Sequence, residues 1–248
     1  MTSTRTTSRV LLAAVATLAL GVSSCGSDSD SSSTSSPSAT TVTDDSSAAT
    51  VPATDAPTTT VDVFAGELAG VLGLDPGTCD GSAARGSFFR MMQPDGNFIP
   101  NADSACADTT YSLLTPGTDG GLVLGDSQAA PNPAFDATGN GLADMIAMPV
   151  KFFGVSFAVA TDSAAAAPSI TAIDGVLSGD LSAFTAYYGA GVFNQGSPKP
   201  DGAEANLTGT IDPATGLYVI EWTSLISGGS FDGFTGVWHL EGTFTPAG

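Results

Sequence analysis

The most specific chemical signal in the chain is Asp136-Ala137-Thr138-Gly139-Asn140-Gly141-Leu142-Ala143-Asp144. Calcium loops place oxygen donors at positions 1, 3, 5 and 9, a backbone carbonyl at 7 and a glycine at 6 where the chain turns sharply. Asp136, Thr138, Asn140, Asp144, Leu142 and Gly141 fall on those slots. Position 3 is normally Asp or Asn, and position 12 holds Ala147 in place of a bidentate glutamate. The pattern therefore predicts weak calcium binding, of the kind served by extracellular calcium; an Asx-rich turn without a metal reads from the same letters. Two other carboxylates, Glu221 and Glu241, stand on neighbouring candidate strands. Facing carboxylates on a β-sandwich can serve glycoside hydrolysis, but the solvated faces of two strands account for them better.

Gly125-Asp126-Ser127 after the apolar run 122–124 resembles the start of GDSL-type esterases, whose serine after such a strand is the nucleophile. The resemblance implies a histidine near the C-terminus with an aspartate three residues before it, because the base must be close and oriented. The only histidine, His239, has Gly236 at that place. A plain Gly-Asp-Ser turn is the expectation. Cys79 and Cys106 form an even pair with no CxxC spacing and no activating base, which predicts a structural disulfide in an oxidising compartment. Tyr187, Tyr188 and Phe193, followed by Asn194-Gln195-Gly196, read either as a contact surface for carbohydrate or protein or as core packing with a polar turn.

The N-terminus sets where these groups would work. Arg5 and Arg9 precede an apolar run at 10–21, then small residues and a cysteine, which is the pattern of a signal peptide. That run is about a dozen residues, whereas a helix needs roughly 20 to cross a bilayer. Val22-Ser23-Ser24-Cys25-Gly26 resembles the bacterial lipobox, a branched apolar residue and two small ones before a cysteine. The resemblance implies that residues 1–24 are removed, that the Cys25 thiol carries a diacylglycerol, and that the chain is held to the outer face of a bacterial membrane. Residues 25–60 are mostly Ser, Thr, Ala, Asp and Pro without an aromatic ring, so they are expected to form a disordered tether. Such a segment reaches about 30 Å from the bilayer.

Charge narrows the partners. With Arg5 and Arg9 in the leader, the 6 basic residues of the chain fall to 4 against 25 acidic ones, a formal charge of −21. A surface so acidic repels phosphate backbones and anionic lipids and attracts cations or basic partners, so nucleic acid is excluded.

The elements that must hold these groups belong to one domain, residues 61–248. Runs of apolar, aromatic or alternating residues at 87–92, 122–125, 145–150, 152–160, 170–177 and 183–188 are separated by Gly, Pro, Asp or Asn. A hairpin is predicted from 207–211 and 217–222 around Asp212-Pro213-Ala214-Thr215-Gly216, with Gly216 in the left-handed position. In 236–244, Trp238, Leu240 and Phe244 alternate with Val237, His239, Glu241 and Thr243, giving one buried and one wet face. Residues 68–74 and 163–167 are the only short helix candidates, the second reading better as a loop. The expectation is an all-β fold with little helix, an antiparallel β-sandwich first and a β-barrel second.

Segments of the last 75 residues or so, 178–184, 193–198, 212–216 with 221–222, 233–234 and 238–242, resemble poorly characterised secreted bacterial surface proteins. The resemblance implies export and no particular activity. The expected function is a membrane-anchored, surface-displayed lipoprotein whose non-catalytic β-domain binds a partner or serves the envelope. The alternatives are a secreted hydrolase, and a carrier of a lipid or small apolar ligand, which would need a large apolar cavity.

Overall fold

The computed structural model describes residues 64–199 and 207–248. Their first strands are β1 (Gly66–Leu68), β2 (Gly70–Leu74), β3 (Thr78–Asp80), β4 (Ala83–Arg85), β5 (Phe88–Met92), β6 (Ser112–Leu113) and β7 (Gly121–Leu124). The middle of the chain forms β8 (Val150–Phe152), β9 (Val155–Thr161), β10 (Ser169–Ile173), β11 (Val176–Asp180), β12 (Phe184–Tyr188) and β13 (Gly191–Asn194). The last strands are β14 (Thr208–Ile211), β15 (Leu217–Leu225) and β16 (Thr235–Pro246), and a 3-10 turn, Gly229–Phe231, lies between the final two. Residues 163–167 are loop. Every strand pairing is antiparallel, so the all-β expectation holds.

Residues 68–74 are strand and not the short helix their Leu spacing suggested. Leu68, Leu72 and Leu74 are buried between sheet neighbours, and glycines at 70 and 73 let adjacent strands approach too closely for a helix cylinder. Two predicted runs are each cut by a tight turn. Residues 152–160 break at Phe153-Gly154, and 170–177 break at Asp174-Gly175, with positive φ at all four positions. The 145–150 run is largely loop, strand beginning only at Val150.

The longest strand, β16, organises the larger sheet. One edge pairs with all of β15, Leu217 opposite Thr243 through Leu225 opposite Thr235. Its other edge pairs with β5 along its first half and with β2 along its second. The period of two puts Trp238, Leu240 and Phe244 inside, each at most 2% exposed, and turns His239 and Glu241 outward, as the alternation predicted. The hairpin between β14 and β15 forms as read: Gly216 has φ 73° and its amide donates to Asp212 O.

The sheet runs β10-β11-β14-β15-β16-β2, and β1, one residue ahead of β2, pairs back onto β10. A single kinked segment thus bends ten strands nearly into a closed barrel. Gly70 has φ 145°, and any Cβ there would run into Thr245 O, so the kink requires glycine. A second sheet, β13-β12-β9-β8, packs its Phe157 and Phe184 onto Phe89, Trp222 and Trp238 of the first. Barrel-like closure and sandwich-like layering therefore occur in one fold. β9 is buried on both faces: Ala158 and Ala160 pack outward against Ala143 and Tyr187, which explains its unbroken apolar run.

Candidate functional site

Cys79 on β3 and Cys106 are joined, with Cα atoms 5.5 Å apart, so the predicted disulfide is present. It fastens the small β3-β4 hairpin to the loop after β5. Cys25 and the tether lie outside the described residues.

Asp136, Thr138 and Asn140 do come together, but as a tight turn tied by its own hydrogen bonds. Asp136 Oδ1 accepts from Thr138 N, Thr138 Oγ1 and Asn140 N at 2.8, 2.8 and 2.9 Å, and Oδ2 accepts from Asn140 Nδ2 at 2.7 Å. Donation by Asn140 and Thr138 holds the Asp136 carboxyl far below the ordinary carboxylate range. Asn140 Oδ1 accepts from Ser156 N, Leu142 is on the surface with its amide on Ala134 O, and Asp144 O accepts from Thr118 N. The positive φ belongs to Gly139; Gly141 is needed because Tyr187 O and Ala158 approach it closely. A cation at Asp136 would require Thr138 and Asn140 to turn their donors away. Among the described residues no group of three or more His, Cys, Asp or Glu is placed to hold a metal ion.

Ser127 Oγ faces Thr161 Oγ1 at 3.4 Å, while both ring nitrogens of His239 are occupied elsewhere, so serine and histidine do not meet. Glu221 lies directly opposite His239 across the β15-β16 ladder, and Glu241 is two residues on. His239 Nδ1 is 2.7 Å from Glu221 Oε1, and Nε2 is 3.1 Å from Glu241 Oε2. Phe88 of β5 stacks on the imidazole at 4.5 Å with the planes 4° apart, and Gly86 N donates to Glu241 Oε1. Burial raises the Glu241 carboxyl; the His239 and Gly86 hydrogen bonds, with the charges of His239 and Arg85, outweigh it and leave it below the ordinary value. The three side chains lie together on the outer face of the barrel sheet, and none of them lines the cavity beside Trp238 or the pocket beside Asn101.

The predicted aromatic surface divides. Tyr187 packs outward against Phe135 and the alanines of β9. Asn194 binds Ser182 O and Gly196 N, and Gln195 is buried, its two oxygens accepting from the indoles of Trp222 and Trp238. Tyr188 and Phe193 instead border an opening between the two sheets. Phe231 of the 3-10 turn lies 6.0 Å from Tyr188 and 5.7 Å from Phe152, and Phe153 lies 5.9 Å from Phe231. Beneath them is a cavity of about 40 Å³ walled by Phe89, Phe157, Ile226 and Trp238. That space is small beside the roughly 150 Å³ of a cavity that holds benzene.

Sequence reading missed Phe153 and Phe231. Phe153 is 48% exposed at φ 50°, in a two-residue turn with Gly154 at φ 79°. Such turns favour Asn, Asp or Gly at that place, and a bulky side chain in the left-handed region costs on the order of 1–2 kcal/mol. The Gly after a Phe-Phe pair was the available signal. Comparison with protein families, with curated proteins and with solved structures returns no match.

Proposed function

We propose that the protein is a lipoprotein tethered through Cys25 to the outer face of a bacterial membrane, where its β-domain binds a component of the envelope and performs no catalysis. The observation that carries the binding reading is the aromatic opening: Tyr188, Phe193 and Phe231 border one cavity of an acidic chain, and Phe153 packs on Phe231 beside it. Phe153 is exposed and the other three rings are half-buried, so together they offer contact area at low entropic cost. Phe153 keeps its ring at the surface despite an unfavourable backbone angle, a feature more common at binding sites than in scaffolds. The anchor rests on the leader's resemblance to the lipobox, and a disulfide-bonded domain suits an oxidising exterior.

The test has two arms. Intact-mass analysis of the membrane-extracted protein should show an acyl adduct on Cys25, and Cys25→Ala should lose that adduct and come off the membrane in a high-salt wash that leaves the parent chain attached; unmodified full-length chain in the cytosol would overturn the anchor. The released Cys25→Ala chain should co-sediment with purified cell envelopes, and adding Phe231→Ala should abolish this while far-UV circular dichroism stays unchanged. Absence of co-sedimentation by the parent chain would overturn the binding reading.

A further inference from the structure

The β8-β9 hairpin that presents Phe153 also walls a second, polar pocket of about 130 Å³, formed with the loop after β5. Its frame is set by Asn101, a side chain only 1% exposed that uses every hydrogen-bonding valence it has. Asn101 Nδ2 donates to Ser112 Oγ and Lys151 O, both at 3.0 Å, and Oδ1 accepts from Asp103 N at 3.1 Å and Phe153 N at 3.4 Å. One amide thus locks β6, β8, the hairpin turn and the loop in register, which is how a preorganised site is built.

Two opposite charges line this pocket without pairing. Asp103 Oδ2 accepts from Gly154 N at 2.7 Å, and Oδ1 has no protein partner among the described residues. The Lys151 ammonium makes no hydrogen bond or ion pair among them, although it lines the same pocket as Asp103. Ala105, Leu113 and Val150 complete the wall with apolar surface.

We infer that this pocket is a subsite for one pyranose ring of a glycan, which rests on the reading of the domain as a binding module and names its ligand. A vicinal hydroxyl pair donates to the open Asp103 oxygen while accepting from Lys151, so a neutral ligand satisfies both charges at once. The C–H face of the ring lies on the apolar wall of Ala105, Leu113 and Val150. A free amino acid also carries both charge complements but must strip water from two full charges to use them. Polyanions are disfavoured by the acidic surface.

The experiment titrates the whole ¹⁵N-labelled chain with the methyl glycosides of glucose, galactose, mannose and N-acetylglucosamine. At least one should give saturable shifts at the amides of Asp103, Lys151 and Gly154. Lys151→Ala and Asp103→Asn should each weaken that binding about tenfold or more. Both side chains are exposed, so an unchanged thermal midpoint in each variant separates lost contact from misfolding. No pyranoside shift at those amides, equal affinity in Lys151→Ala, or the same shifts produced by glycine would each overturn the assignment. Envelope co-sedimentation that still depends on Phe231 would then show that the sugar identity alone had failed.

Discussion

His239 is clamped by carboxylates from two strands, and its ring cannot satisfy both with a single proton. A neutral imidazole has one donor and one acceptor, whereas Glu221 and Glu241 both present acceptors at hydrogen-bond distance. The Glu241 carboxyl is lowered on folding from its ordinary value of 4.5, so its ionised form is preferred in the native state. Its contribution is therefore present above the ordinary glutamate range and is lost as pH falls through the depressed value. Unfolding midpoints should decline on acidification below about pH 4.5, and Glu241→Gln should flatten that part of the profile; an unchanged profile would show that the pair contributes nothing. The alternation of 236–244 already placed His239 and Glu241 on the wet face. That Glu221 stands opposite His239 depends on register, which no single strand carries.

Among the elements, turns decide more than strands. Apolar runs located β5, β7, β12 and β16 well, because alternation is a local property. The positions where runs break, Phe153-Gly154 and Asp174-Gly175, depend on non-glycine residues adopting positive φ, and propensity argues against that at Phe153. The Asp136 turn shows the converse. Its letters match a calcium loop, yet the same oxygens serve equally well as acceptors for backbone amides, and the sheet bridge between Phe135 and Gly141 holds the turn tight. The disulfide fastens elements with little sheet of their own: β3 and β4 pair only with each other. With a sequence separation of 27, removing it through Cys79→Ser and Cys106→Ser together should cost about 3 kcal/mol, read from urea denaturation. A loss below about 1 kcal/mol would mean that the loop's own hydrogen bonds suffice.

Across the whole molecule, the two sheets meet on Trp238. Its indole lies 4.5 Å from Phe89, 5.0 Å from Phe184, 5.9 Å from Trp222 and 6.2 Å from Phe157, spanning both layers. Trp238 and Trp222 both donate to Gln195, so the contact is directional as well as apolar. Trp238→Ala should destabilise the domain by about 3–5 kcal/mol. It should also loosen the second sheet first, seen as faster amide exchange in β9 and β12 than in β14; uniform acceleration would indicate one cooperative unit.

By itself the sequence determined the class of fold, the buried face of the last strand, the cysteine pairing and the hairpin at Asp212–Gly216, because each follows from a period, a compartment or a turn chemistry readable within a few residues. The first 26 residues and the acidic composition support the proposal of an exported, anchored protein. Tertiary structure alone decided that the sheet curls onto itself through the Gly70 kink, that Glu221 joins His239, that Tyr187 and Tyr188 part company, and that Asn101 builds a pocket beside Phe153. Those outcomes arise from pairings between residues far apart in the chain, where several registers are locally equivalent and only the packing of the complete core selects one.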